Sequence, residues 1–177
     1  MKNFAVLALI IASIVSANVS AAEEDFNLAA GHFGVELDMM PGGQEQGSML
    51  PFVTYETDRY IFSLGGNYYQ FSDKLWGDTH FWQGEARAAI RRTIAPLSFL
   101  DLGFDYSVQW GKQGGNGVGT NFSVGPLVGF SRQFPHTNVF FTAFVEPIQY
   151  MNVFSSQSKG TGFAYFNNGG IGVRYMF

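Results

Sequence analysis

Cysteine is absent from the 177 residues, so no disulfide can staple the fold and no thiolate can hold a metal or attack a substrate. Charge is also scarce. Only 14 % of the residues are Asp, Glu, Lys or Arg, against about 25 % in an ordinary soluble domain. Ten basic residues face fourteen acidic ones, for a net charge of -4. A mildly acidic chain without a basic stripe excludes nucleic acid as an expected partner. Beyond residue 22 no apolar run approaches the roughly 20 residues that a membrane-spanning helix needs.

The chain is nevertheless rich in apolar and aromatic residues: 46 % are hydrophobic and 17 % aromatic, with 22 Gly and 19 Phe. Many aromatics and glycines with few charges and no apolar helix suit strands that turn one face to lipid. The start of the chain reads differently. A basic opening, Met1-Lys2-Asn3, leads into the apolar run Phe4 to Ala12, then through small residues from Ser13 to Ala21-Ala22, before Glu23-Glu24-Asp25. Those three parts in that order predict a secretory signal peptide over residues 1–22, cleaved after Ala21 or Ala22. Residues 23–177 are then one domain, and the loss of Lys2 moves its net charge to -5.

Periodicity sets the fold class. From Phe99 to Trp110 one face reads Leu100, Leu102, Phe104, Tyr106, Val108, Trp110, and the other Asp101, Gly103, Asp105, Ser107, Gln109. A helix would scatter these sets, whereas a strand separates them. The same two-residue alternation predicts strands over Asn27–Met39, Met49–Thr57 (short and interrupted by Pro51), Tyr60–Phe71, Thr79–Arg92, Val118–Ser131, Val139–Met151 and Gly162–Phe177. In Val139–Met151 the reading is ambiguous, because Phe140 and Phe144 share a face with Thr142 and Glu146. The expectation is an all-β, transmembrane, antiparallel up-and-down barrel of about eight strands, most of them somewhat longer than the roughly 9–11 residues that a tilted strand needs to cross a bilayer.

The connections alternate in kind. Met40–Ser48, Gly111–Gly117 and Asn152–Thr161 are polar and glycine-rich, Thr57-Asp58-Arg59 is tight, and Thr93–Ser98 and Arg132–Asn138 are moderate. Bacterial barrels have short periplasmic turns and longer external loops, so the glycine-rich set is expected outside. Trp76, Trp82, Trp110, Tyr60, Tyr106, Tyr150, Tyr175 and Phe177 read as bilayer-anchoring aromatics.

Strand parity also predicts an interior polar network of His32, Glu36, Asp38, Glu85, Arg87, Arg91, Asp101, Asp105, Gln109, Glu146 and Arg174. An eight-stranded barrel has an interior just wide enough for side chains to fill, and charges enclosed there need opposite partners. One hairpin register would place Arg91 opposite Asp101, Arg87 opposite Asp105 and Gln83 opposite Gln109.

The final residues, Gly170-Ile171-Gly172-Val173-Arg174-Tyr175-Met176-Phe177, resemble the terminal insertion signal of outer-membrane barrel proteins. That resemblance assigns Gly170, Gly172, Tyr175 and Phe177 to an assembly signal and implies the barrel assembly machinery as a partner. In size and layout the domain resembles the small eight-stranded group of the OmpA membrane domain and OmpX/Ail-type proteins. Leu50–Gln70 also resembles a hairpin of the MipA/OmpV family, which is linked to a murein-synthesis scaffold. These likenesses imply the outer membrane of a Gram-negative bacterium, with lipids including lipopolysaccharide around the wall, and carry over no catalytic residue.

Small barrels of this kind also include lipid A palmitoyltransferase and deacylase, which keeps an enzyme reading open. Acyl transfer wants a nucleophile or base at the rim. His80 stands near the outer rim beside Asp78 and Thr79, with Ser72 and Asp73 on the same loop, but no motif of either enzyme surrounds it. His136 falls in a periplasmic turn. Three histidines on separate segments make no metal site, and no cofactor is expected. The leading expectation is a non-catalytic membrane protein serving envelope integrity or surface interaction. A narrow channel for ions or small solutes and a lipid A-modifying enzyme are the alternatives.

Overall fold

The structure, a computed structural model, describes residues 31–40, 48–73, 77–113, 116–154 and 159–177. The predicted signal segment, Trp76 and most of the Met40–Ser48 connection lie outside them. Eight strands follow one another: β1 (His32–Met40), β2 (Ser48–Glu56), β3 (Tyr60–Asp73), β4 (Gly77–Ala95), β5 (Ser98–Gln113), β6 (Asn116–Gln133), β7 (Val139–Phe154) and β8 (Lys159–Met176). Each pairs antiparallel with its neighbours in sequence, and β8 returns to β1 through Gly34↔Met176 to Met39↔Ile171, closing the barrel. Closure removes every free sheet edge, which a wall standing in lipid requires.

The alternation of side chains becomes two surfaces. Phe33, Leu64, Phe104 and Val173 point out, Leu64 with 68 % and Phe104 with 64 % of its surface uncovered. Glu36, Thr54, Arg87 and Asp105 point in and are buried. A wall so extensively apolar far exceeds the patches that water-soluble monomers expose; hydrocarbon is its natural solvent.

Several strands outrun their sequence bounds. The Gly111–Gly117 connection is largely ladder, because β5 and β6 stay paired to Gln113↔Asn116. Likewise β7 and β8 run on to Phe154↔Lys159, and β4 reaches Ala95 before Pro96 and Leu97 make the turn. Glycine and polar residues carry these extensions because beyond the bilayer a strand needs only backbone partners. At the opposite end, Thr57 closes the β2–β3 turn by accepting hydrogen bonds at Oγ1 from the amides of Arg59 (3.1 Å) and Tyr60 (2.9 Å).

Proline explains the irregular stretches. Pro51 pairs with Leu37 on β1, while β2 meets β3 only from Phe52↔Gly65 onward. A proline has no amide to give a second ladder, and the Asn67 side chain bridges the gap by donating to the Met49 carbonyl (2.5 Å). Pro126 on β6 and Pro147 on β7 lie within a shared break, where pairing jumps from Val124↔Tyr150 to Val128↔Val145. The inward parity of β7 changes there, from Thr142 and Glu146 below to Gln149 above. That settles the ambiguous strand: Phe140 lies inside and is fully buried.

Gly103 on β5 stands opposite Ala89 on β4, and a Cβ at 103 would run into the Ala88 carbonyl and the Ala89 backbone. Gly103→Val should therefore lower unfolding stability by about 1–3 kcal/mol, read as a lower urea midpoint in refolding vesicles. An unchanged midpoint would show that the two strands can part without cost.

Candidate functional site

The interior is built in tiers. Phe99, Phe140 and Met176 form an apolar floor at the end that holds the C-terminus. Above it sits Arg91, whose Nε donates to Asp101 Oδ1 (2.9 Å) and whose Nη2 donates to Ser131 Oγ (2.8 Å). The Ser131 hydroxyl passes the chain on to Asp101 Oδ2 (2.8 Å). Arg91 also pairs with Glu56, which accepts a second bond from Arg174 Nη1 (2.5 Å), while Arg174 Nε reaches Glu36 Oε2 (2.8 Å). One lower tier thus ties β1, β2, β4, β5, β6 and β8.

The upper tier centres on Arg87. Its guanidinium pairs with Asp38 of β1, with Glu85 (2.5 Å) on its own strand and with Asp105 (3.1 Å) of β5. The rings of Phe52 and Phe144 lie against it at 4.2 and 4.0 Å. The planar, five-donor fork of arginine suits three carboxylates at once, where a lysine ammonium would not. Outward from this tier the lining loses charge: Gln109 donates to Gln83 (3.3 Å), Gln83 to Glu85 (3.2 Å), and Gln149 to Ser123 (2.9 Å), itself 2.6 Å from Ser107. Glu146 accepts from Asn168 near the β7 break.

Ten of the eleven residues expected inside point into the barrel within or beside these tiers. Arg91 faces Asp101, Arg87 faces Asp105 and Gln83 faces Gln109 in one continuous register. His32 is the exception: at the first position of β1 it sits half-buried on the rim, its Nδ1 3.0 Å from the Phe177 carbonyl oxygen. The strand begins there, so inward parity no longer means enclosure. Sequence reasoning missed Glu56, which joins two arginines, because Pro51 made β2 look broken. The signal was present in Val53 and Tyr55 alternating with Thr54 and Glu56. It also missed that Phe52 and Phe144 would cover a guanidinium.

The C-terminal residues have places of their own in the folded wall. Gly170 packs under the Phe144 ring, and a Cβ on Gly172 would strike the Asp38 carboxylate and the Thr142 hydroxyl. Tyr175 and Phe177 face outward, edge to face at 5.3 Å. At the far rim, His80 pairs through Nδ1 with the Tyr68 hydroxyl (2.7 Å), while the side chains of Ser72, Asp73, Asp78 and Thr79 lie outside the described set. Among the described residues no group of three His, Asp or Glu side chains is placed to hold a metal ion.

Seven buried carboxylates share the interior with three guanidiniums. The cavity between the two tiers measures about 40 Å³, far below the roughly 300–1,000 Å³ of a ligand pocket. This arrangement can cross-link strands, and the cavity between its tiers is too small for a solute.

No family model matches the chain, and no curated protein sequence does. Solved structures do. Neisserial surface protein A shares 17 % identity over 83 % of this chain and 96 % of its own, with a TM-score of 0.52. Ail, the attachment invasion locus protein of Yersinia pestis, shares 14 % in its complex with the heparin analogue sucrose octasulfate, over 83 % of this chain and 97 % of its own, with a TM-score of 0.46.

Removing the central guanidinium tests the tier. Arg87→Met should destabilise the barrel by about 3–5 kcal/mol, because three buried carboxylates lose their counter-charge, and Arg87→Lys should recover only part of it. Urea unfolding followed by tryptophan fluorescence reads both, and a loss under 1 kcal/mol for Arg87→Met would contradict the tiered reading. The small outer-membrane barrels represented by Neisserial surface protein A are eight-stranded and antiparallel, and this chain has their fold.

Proposed function

We propose that the protein is a non-catalytic integral barrel of a Gram-negative outer membrane, exported with a leader cleaved near Ala21 or Ala22, and serving envelope integrity or surface contact. Its immediate partners in this reading are outer-membrane lipids, including lipopolysaccharide, and the barrel assembly machinery during insertion. The observation that carries it is the pairing of an apolar exterior with an interior closed by ion pairs. Leu64 and Phe104 lie bare on one side of the same sheet whose other side buries Arg87 and Asp105. Such a wall is stable in hydrocarbon and offers no open lumen. The long ladders of β4 to β8 and the aromatics near their outer ends, Trp82 and Trp110 among them, fit a barrel that rises beyond the bilayer.

The reading separates from a channel by conductance. Purified full-length protein in planar bilayers should give no single-channel events, whereas Arg87→Ala combined with Phe144→Ala should admit small ions by thinning the plug. Steady unitary currents from the unaltered protein would replace the structural role with transport. Fractionation should recover the protein with the outer membrane, and recovery with the soluble periplasm would contradict the assignment.

A further inference from the structure

The interior holds more acid than base. In the lower tier Glu36, Glu56 and Asp101 share Arg91 and Arg174, and in the upper one Asp38, Glu85 and Asp105 share Arg87. Glu146 is left over. Among the described residues it is the one buried carboxylate that makes no ion pair. The other described cations, Arg59, Arg92, Arg132, Lys112 and Lys159, are exposed. Glu146 itself is fully buried. Its Oε1 accepts from the Asn168 side chain of β8, and its Oε2 is enclosed without a hydrogen-bond partner. The charged groups that face it are Glu85 and Arg87 of β4 and Asp105 of β5, with Asp38 of β1 behind Arg87. From β6 comes only Gly125, where a Cβ would lie 3.3 Å from that free oxygen. Two carboxylates and a guanidinium already engaged three times offer no counter-charge. An ionised carboxyl enclosed in this way is strongly disfavoured, and such a group takes up a proton instead. Among the described residues no cluster of acids is placed to hold a metal ion in the proton's stead.

We propose that Glu146 is a proton site, neutral in the closed barrel, and that its proton latches β7 in place. The inference goes beyond the structural role above and stands on the barrel interior alone. Position gives the proton a mechanical meaning. The ladders of β7 to both neighbours break at one height: pairing skips Glu146 to Gln149 on the β6 side and Pro147 on the β8 side. There the Asn168–Glu146 side-chain bond ties β7 to β8. On the other side the Ile148 carbonyl points at Gly125, 2.5 Å from where a Cβ would stand. A proton on Oε2 turns the enclosed oxygen into a hydroxyl donor on that same flank. Its loss sets a negative charge against Glu85 and Asp105 where no β6 ladder holds the strand. The sign of the pH dependence follows. A glutamate in an unfolded chain titrates near about 4.3, so above that pH the closed barrel carries one proton more than the unfolded chain. The unfolding constant then rises about tenfold per pH unit on this account until the site itself ionises. The stabilisation is complete in acid and is lost as the pH rises.

The test compares the unaltered full chain with Glu146→Gln, which keeps an acceptor for Asn168 and has no proton to lose. Both are unfolded by urea in phosphatidylcholine vesicles at a series of pH values from mildly acid to mildly alkaline, followed by tryptophan fluorescence. The ratio of the two unfolding constants should change about tenfold per pH unit, with the unaltered chain losing ground as the pH rises. A flat ratio, or one in which the unaltered chain gains as the pH rises, overturns the proton site. A spectrum locates the proton directly. The infrared difference between the unaltered chain and Glu146→Gln at neutral pH should contain the carbonyl stretch of a protonated carboxylic acid. The paired bands of a carboxylate in its place overturn the proposal. Should Glu146→Gln fail to assemble, Asn168→Ala serves instead, because it removes the amide that donates to the carboxyl and steadies its ionised form. The protonated-acid band should then persist to a proton concentration about tenfold lower than in the unaltered protein, the effect of one hydrogen bond to a charged group. A band that does not move overturns the assignment to Glu146. A transition that follows added sodium or calcium rather than pH gives the site to a cation and overturns the proton.

Discussion

Burying ionised groups inside a narrow closed sheet is the constraint on which the rest of this barrel depends. A guanidinium removed from water costs several kcal/mol unless carboxylates surround it with good geometry. Arg87 meets that demand with Asp38, Glu85 and Asp105, and Arg91 and Arg174 meet it by sharing Glu56. Such pairs are weak evidence for net stability, since well-packed apolar residues can do as well. Their stronger effect here is on register. A one-residue slip of β4 against β5 would turn Arg87 and Arg91 towards lipid and leave Asp105 and Asp101 alone inside.

The ion pairs also decide where small residues must sit. Gly172 has no side chain because the Asp38 carboxylate and the Thr142 hydroxyl occupy that space. Gly170 yields to the Phe144 ring, which in turn lies against Arg87. Gly170 and Gly172 of the terminal pattern therefore serve the folded interior, while Tyr175 and Phe177 face outward.

The outside of the wall follows from the same alternation with the opposite chemistry. Beside the inward Arg87 the outward neighbours on the same strand, Ala86 and Ala88, are small, whereas Arg174 is flanked by Val173 and Tyr175. The wall is thus smooth in most places and indented along β4, between Leu64 and Tyr106. Prolines interrupt it without opening it. At Pro51 a side-chain amide from Asn67 replaces the missing ladder, and at Pro126 and Pro147 a break in one ladder changes which residues of β7 face in.

The two-residue period by itself determined the number of strands, their antiparallel order and, for every strand but β7, which side meets lipid, because a side chain on a strand has only two directions to take. It also determined the Arg91–Asp101 and Arg87–Asp105 pairs, since a hairpin fixes the sum of partner positions. Glu56 stayed hidden behind Pro51, and Phe140 and Phe144 stayed ambiguous, because hydrophobicity alone cannot tell a lipid-facing ring from one that covers a guanidinium. The convergence of β1, β4 and β5 on one arginine needed closure of the sheet, which brings Asp38 to Arg87 across 49 residues of sequence. Alternation is local and can be read from the chain; which inward groups meet across the lumen depends on strand tilt and stagger, and only the closed barrel decides that.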